Sequence, residues 1–107
     1  MARRRKLNWQ FEAQQDRKEI FQYWNKKNKS KEYSKRLNQL FRTKTEALKD
    51  FPYNGHTTNL ENVRVLVIEK YLIVYEIFEQ EVLISRIWDG RRNPEILKIK
   101  LPILGNA

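Results

Sequence analysis

Residues 71–78 have the sequence YLIVYEIF, in which every side chain except that of Glu76 is apolar or aromatic. A strand with apolar side chains on both faces is buried on both faces, and this favours a central position in a sheet. Two further strand-like runs flank it, Val63 to Ile68 and Val82 to Trp88. The connections between the three runs are only two and three residues long, and such short connections require antiparallel hairpins.

The residues before these strands predict one more strand and two helices. Apolar and polar residues alternate from Leu7 to Ala13, which is typical of a half-buried strand. Beyond this stretch the period becomes helical, and the first helix is expected to end near Asn28. A second helix is predicted to begin with Ser30 as its N-cap and to end before Pro52. Its apolar stripe consists of Tyr33, Leu37, Leu40, Phe41, Ala47 and Leu48.

The predicted order is therefore β-α-α-β-β-β, an α+β fold in which a two-helix hairpin packs on one face of an antiparallel sheet. Between the second helix and the sheet, Asn54-Gly55 predicts a turn with positive φ. We expect a single domain over residues 1–107, with a basic N-terminal extension at 1–6. We also expect a C-terminal tail at about 98–107 that becomes ordered against a partner.

Composition excludes several classes of site. The chain has no cysteine and one histidine, His56, so disulfides, thiolate catalysis and multi-histidine metal sites are excluded. We therefore expect neither a metal nor a cofactor. The basic run Arg3 to Lys6 is not followed by an apolar segment, and no stretch approaches the roughly 20 apolar residues that span a bilayer. We expect a protein that is not exported, does not enter a membrane and acts in the cytoplasm.

The net charge of +9 is confined to the N-terminal half. Residues 1–50 contain 15 Lys or Arg against 6 Asp or Glu, an excess of 9, whereas residues 51–107 contain 7 of each. Such a basic surface attracts phosphate backbones or an acidic protein partner. A solubilising helical face has the same composition, so the charge alone leaves both interpretations open.

Several phrases, in their order and spacing, resemble the RelE/ParE superfamily of bacterial toxins. They are Tyr23-Trp24, Phe51-Pro52 through Gly55, Asn62-Val63-Arg64, Tyr71 to Tyr75, and Ile87 to Pro94. The resemblance covers about residues 7–97. It implies the toxin of a type II toxin–antitoxin pair, which a cognate antitoxin neutralises in a hetero-oligomer. RelE-like members are ribosome-dependent messenger RNA endoribonucleases, whereas ParE-like members poison DNA gyrase.

A metal-free ribonuclease needs a proton acceptor, a proton donor and cations that stabilise the charged transition state. Resemblance to the RelE-like members implies cationic roles for Arg64, Arg91 and Arg92. Arginine is always protonated near neutral pH, so it clamps phosphate but is a poor base. His56 is the only residue of a type that titrates near neutrality, although a lone histidine in a loop is more often structural or exposed. Tyr71 and Tyr75 could donate protons, but on a central strand they are more simply packing residues.

The remaining nuclease positions have changed. Leu66 and Leu72 stand where the resemblance implies basic residues, and Ile96 or Leu97 stands where it implies a tyrosine. The hydrophobic middle strand followed by Gly-Arg-Arg is closer to ParE-like members. Such a toxin needs only a surface that holds its target in one state, because gyrase itself performs the DNA chemistry. We favour gyrase over messenger RNA as the target, and the target-binding candidates are Arg64, Arg86, Arg91, Arg92 and the C-terminal tail.

Other interpretations stay open at this point. A non-enzymatic nucleic-acid-binding module would use Trp9 and Tyr23 for base stacking, although the tryptophans occupy apolar positions that favour core packing. A toxin that has lost its activity is a further alternative. Arg64 and Arg86 either face a shallow basic surface or pair with acids nearby in sequence, namely Glu61, Glu76 or Asp89. Asp89 is also placed to cap the turn that follows it.

Overall fold

The computed structural model describes residues 4–92, and within them all six predicted helices and strands occur in the predicted order, with one additional short strand. The elements are β1 (Lys6–Trp9), α1 (Phe11–Asn28), α2 (Glu32–Glu46), β2 (His56–Thr57), β3 (Val63–Ile68), β4 (Tyr71–Ile77) and β5 (Glu81–Asp89). Two short 3-10 turns, Ala47–Lys49 and Pro52–Asn54, connect α2 to β2. The predictions for Ile96, Leu97 and the tail at about 98–107 lie outside the described residues.

The sheet has the strand order β1-β5-β4-β3-β2. Strand β4 is central, as its two apolar faces predicted, and all of its residues except Glu76 are buried. The hairpins β3–β4 and β4–β5 are antiparallel, but β1 runs parallel to β5, so the sheet is mixed rather than wholly antiparallel. The two-residue strand β2 was not predicted; it pairs antiparallel with β3 at the far edge.

The first strand ends earlier than its alternating sequence predicts. The backbone N–H of Gln10 donates to the carbonyl of Ile84 (2.9 Å), and the helix begins at the next residue, Phe11. Phe11 is 70% exposed while Ala13 is fully buried, so the alternation from Leu7 to Ala13 extends across two different structures. The prediction of a strand through Ala13 was wrong because four alternating residues fit both the end of a strand and the first turn of a helix.

The second helix also differs from its prediction at both ends. Ser30 Oγ accepts the backbone N–H of Glu32 (3.1 Å), but Lys31 occupies the N-cap position. At the other end the chain tightens into a 3-10 turn, and Ala47, predicted in the apolar stripe, is exposed. Thr45 is buried instead, since its hydroxyl donates to the carbonyl of Phe41 (2.6 Å) and leaves no polar group unsatisfied.

Gly55 is needed for space rather than for a left-handed backbone. Its φ is −75°, so the predicted positive φ was wrong. A Cβ at this position would overlap the Tyr75 hydroxyl and lie 2.9 Å from the Val65 carbonyl oxygen. Positive φ occurs instead at Lys29, Asn62 and Glu69, which lie between elements.

Both faces of the sheet carry an apolar cluster. Helices α1 and α2 cover one face, where Leu37 and Phe41 meet residues such as Ile73 and Tyr75. On the other face a smaller cluster consists of Val65, Leu72, Val74 and Trp88. No helix within residues 4–92 is long and apolar enough to cross a membrane.

Candidate functional site

The basic turn that follows β5 is held closely against the start of β4. The Gly90 N–H donates to the carbonyl of Lys70 (2.7 Å), and the Arg92 N–H donates to the carbonyl of Asp89 (2.9 Å). A Cβ on Gly90 would lie 2.9 Å from the same Lys70 carbonyl oxygen, so only glycine allows this approach without a shift of backbone. Arg91 and Arg92 therefore project from a fixed backbone.

Asp89 organises the turn and pairs with Arg91. Its Oδ1 accepts the Arg91 N–H (2.9 Å) and Nε (3.0 Å), and its Oδ2 accepts Nη2 (2.7 Å). Arg91 is the main cause that lowers the pKa of Asp89 to about 2. The prediction that Asp89 caps the turn is confirmed. The Arg91 side chain is 68% exposed, but its guanidinium is already bound to a carboxylate.

Among residues 4–92, no carboxylate pairs with Arg92. Its guanidinium carbon lies 4.1 Å from the centroid of the Trp88 ring, and Trp88 is only 3% exposed. A guanidinium stacked on an indole keeps its in-plane N–H donors available. Arg92 therefore presents a positioned cation at the surface, and Trp88 combines this role with the packing role that the sequence predicted.

A bulge in β5 precedes this turn. Ser85 is the extra residue, because Arg86 pairs with Val74 while Ile84 pairs with the next residue of β4. Strand β1 no longer accompanies β5 beyond this point, since its last residue, Trp9, pairs with Ile84. Because β1 ends here, the edge of β5 beyond the bulge is open to α1.

Asp16 of α1 lies at this open edge. Its Oδ2 accepts Arg86 Nε (2.7 Å) and the backbone N–H of Ile87 (2.9 Å), and its Oδ1 accepts Arg86 Nη2 (3.1 Å). The side-chain hydrogen bonds from Arg86 to Asp16 are the main cause that raises the pKa of Arg86. Arg86 was expected either to face a shallow basic surface or to pair with Glu61, Glu76 or Asp89. The expected pairing was wrong, because the partner of Arg86 is Asp16 of α1.

Tyr71 closes the groove between α1 and the turn. This groove, of about 290 Å³, is also lined by Ile20, Tyr23, Asp89 and Arg92. Tyr71 Oη accepts the indole N–H of Trp24 (2.7 Å), and burial raises the pKa of Tyr71. A phenol with a raised pKa is a poor base at neutral pH, which agrees with the packing role predicted for it.

Comparison with known proteins identifies the family. A sequence model of the ParE toxin of type II toxin–antitoxin systems, parDE, matches residues 7–94. The chain belongs to the ParE toxin family. No curated protein sequence matches it significantly. Among solved structures it is similar to a chain of the chromosomal ParDE toxin–antitoxin system from P. aeruginosa, with a TM-score of 0.69 and 19% identity over 79% of this chain and 95% of that one. At this identity the likeness shows the fold alone, and the predicted fold class is confirmed.

In this ParE toxin, Arg64 lies away from the basic turn. Its Nη1 donates to the carbonyls of Tyr53 (3.0 Å) and Gly55 (3.0 Å), and its guanidinium carbon lies 5.1 Å from the centroid of the Tyr53 ring. The expected pairing of Arg64 with Glu61 or Glu76 was wrong. Its position opposite Tyr75 places it on the helix-covered face, whereas Arg86 lies opposite Val74 on the other face.

His56 is also distant from the turn. It is exposed on β2, and β3 and β4 lie between β2 and β5. Neighbouring strands are about 4.8 Å apart, so roughly 14 Å of sheet separates the two strands. The described part of this ParE toxin therefore does not bring Arg64, His56 and the Arg91-Arg92 turn into one site. It also contains no group of three His, Cys, Asp or Glu that could hold a metal ion.

Asp16 is the site residue that sequence reasoning missed. It is 70 residues from Arg86, and its acidic side chain alone does not distinguish it from the other acids of α1. The usable signal was its place next to the buried helix positions, since a carboxylate at the edge of a buried face needs a partner. The stacking of Arg92 on Trp88 was also not predicted, although Arg92 was a predicted target-binding residue and Trp88 a predicted packing residue.

Proposed function

We propose that this ParE toxin stops growth by binding DNA gyrase and holding it in its DNA-cleaved state. The observation that supports this proposal most strongly is the structure of the turn at residues 88–92. Arg92 is exposed and stacked on Trp88, and Arg91 is exposed and paired with Asp89 on a rigid backbone. Such a turn offers positioned guanidinium groups to a phosphate or carboxylate of a target.

The same turn is poorly equipped for cleaving RNA itself. Asp89, whose pKa is lowered to about 2, is a weak base, and the Asp16 carboxylate is bound to Arg86 and Ile87. His56 lies on β2, beyond β3 and β4. A target enzyme that performs its own chemistry removes the need for a general base. This arrangement supports gyrase binding over messenger RNA cleavage.

The test mixes the purified chain with gyrase, ATP and supercoiled plasmid, followed by detergent, protease and gel electrophoresis. We expect linear plasmid to accumulate with toxin concentration. Arg92→Gln should reduce this accumulation at least about tenfold, because it removes a charge-assisted contact. The matched control is Lys18→Gln, which neutralises an exposed cation of α1 outside the turn. If both variants produced equal amounts of linear plasmid, the proposal that the turn contacts gyrase would be wrong.

The messenger RNA alternative is tested with the same preparation. Toxin added to a translating extract should leave a reporter messenger RNA intact if the gyrase proposal holds. Cleavage of that messenger RNA, together with unchanged plasmid and active gyrase, would reverse the proposal. Arg64 and His56 would then be the residues to replace, alone and together.

A cognate antitoxin is the second part of the proposed function. The net charge of +9 favours an acidic partner, and the expected docking surface combines the helical face with a sheet edge. Since gyrase acts on chromosomal DNA, the proposal also implies action in the cytoplasm. Co-purification with the protein encoded beside this chain, and loss of plasmid linearisation on its addition, are the expected results. A titration without complex formation would exclude that protein.

A further inference from the structure

A second cleft lies on the other side of α1, away from the basic turn. Strand β1 contributes Leu7 and Trp9, which share one face of the strand, and α1 contributes Arg17 and Phe21, one helical turn apart. The other wall is α2, mainly Asn38 and Arg42. The cleft has a volume of about 430 Å³, enough for one or two side chains of a partner.

Two arginines face the same space in this cleft. The Arg17 guanidinium carbon lies 4.4 Å from the centroid of the Trp9 ring, which fixes its position over the indole. Burial, and then the nearby charge of Arg42, lower the pKa of Arg17. The two like charges repel each other, so an anion between them removes an unfavourable interaction as well as adding hydrogen bonds.

The donors of the cleft have no acceptor within the described part of the chain. Neither guanidinium is hydrogen-bonded to any carboxylate or carbonyl of residues 4–92, and the same holds for the side-chain amide of Asn38. Among the described residues that line the cleft, Glu46 has the only carboxylate, and its Oε1 pairs with Lys49 Nζ (2.8 Å). Three donors thus converge on one space beside apolar walls.

We infer that this cleft binds a carboxylate side chain, presented by an acidic segment of a protein partner between apolar residues. The planar fork of a guanidinium matches a carboxylate in bidentate geometry, and Leu7, Trp9 and Phe21 accept the apolar neighbours. The apolar side chains beside the two guanidinium groups favour a protein segment over a nucleic-acid backbone, which presents phosphates without apolar side chains. Identifying the partner with the antitoxin rests on the proposed function, whereas the carboxylate preference does not.

The test is an NMR titration of the whole chain with the blocked tripeptide acetyl-Leu-Glu-Leu-amide. About 0.2 M salt screens long-range attraction. We expect saturable shifts of the Arg17 and Arg42 side-chain N–H signals and of the Trp9 indole N–H. The tripeptide with Gln in place of Glu should bind at least about tenfold more weakly, since it lacks the charge that the guanidinium groups recognise.

Matched variants separate the cleft from the general charge. Arg17→Gln with Arg42→Gln should weaken binding of the Glu tripeptide at least about tenfold, while Lys26→Gln with Lys44→Gln, which removes two exposed charges from other faces of the same helices, should not. Arg17→Lys keeps the charge without the fork, and an intermediate loss is expected. Dispersed amide spectra establish that each variant is folded.

Three results would overturn the inference. They are equal binding of the Glu and Gln tripeptides, no shift of the cleft signals up to the solubility limit of the Glu tripeptide, and stronger binding of a short single-stranded oligonucleotide at these same signals. None of these experiments contains gyrase, so the cleft and the proposed target are judged independently.

Discussion

At the scale of single residues, Asp16 fixes the position of α1 against the open edge of β5. It binds both Arg86 and the backbone of Ile87, and its side chain is 14% exposed. We predict that Asp16→Ala lowers the free energy of unfolding by about 2 kcal/mol, since it removes charge-assisted hydrogen bonds from a largely buried group. Urea denaturation measures the change. Glu19→Gln, at an exposed position of the same helix, should stay within about 0.5 kcal/mol of the parent. A similar loss in both variants would contradict the role of Asp16.

Asp89 gives the basic turn a stability that depends on pH. Its folded pKa, about 2, lies below the ordinary value of 3.8 because Arg91 binds the carboxylate. The stabilisation is therefore complete above the ordinary pKa and is lost as the pH falls towards 2. We predict that the stability difference between the parent and Asp89→Asn shrinks between pH 4 and pH 2. Carbon NMR of the Asp89 carboxyl should show its titration midpoint near 2, moving upward in Arg91→Gln. A midpoint that Arg91→Gln leaves unchanged would exclude Arg91 as the cause.

At the scale of elements, the turn before β2 is pinned to the central strand by Tyr75. Its hydroxyl donates to the carbonyl of Pro52 (2.7 Å) and accepts the N–H of Gly55 (2.9 Å), and the side chain is fully buried. Tyr75→Phe leaves both backbone groups without this partner, so we predict a loss of about 1–3 kcal/mol in unfolding free energy. Gly55→Ala should be destabilising for a different reason, the overlap of its Cβ with the same hydroxyl. Thermal unfolding of both variants measures these losses, and Asn54→Ala, at an exposed position, is the control. An unchanged melting temperature in Tyr75→Phe would contradict the predicted role of its hydroxyl.

The elements that the sequence predicted well are those with one dominant pattern. The all-apolar run of β4 required a central strand, and the short hairpins on each side then determined β3 and β5. The prediction failed where one pattern allows two structures, as from Leu7 to Ala13. It also failed where a residue's role depends on a contact partner that is distant in the sequence. The need for glycine at position 55 comes from Tyr75, and the partner of Arg86 is on α1. No local pattern encodes such contacts, because side chains meet across elements only after the sheet has formed.

At the scale of the whole molecule, the two candidate surfaces lie on different sides of α1. Asp16, Ile20 and Tyr23 border the groove beside the basic turn, whereas Arg17 and Phe21 line the cleft against β1 and α2. A helix with 3.6 residues per turn separates these sets in space although they alternate in sequence. A partner in the cleft therefore leaves the turn accessible unless it extends around α1. If an antitoxin occupied only the cleft, it could block the basic turn only through its size or through a second contact elsewhere.

The charge distribution of the whole molecule also determines how an acidic partner would approach. The excess positive charge lies in residues 1–50, which supply both helices, so an acidic antitoxin should be attracted before any contact forms. We predict that Lys26→Gln, Lys31→Gln and Lys44→Gln together slow association several-fold at low salt, with the difference vanishing near 0.5 M salt, where the Debye length is only about 4 Å. Stopped-flow or surface-plasmon kinetics measure the rate, and dissociation should change little because these lysines are exposed and lie outside the cleft. The control is Glu61→Gln with Glu69→Gln, which changes the net charge on the sheet side. If that pair accelerates association by as much per charge as the lysine substitutions slow it, the attraction reflects total charge and not its placement on the helices.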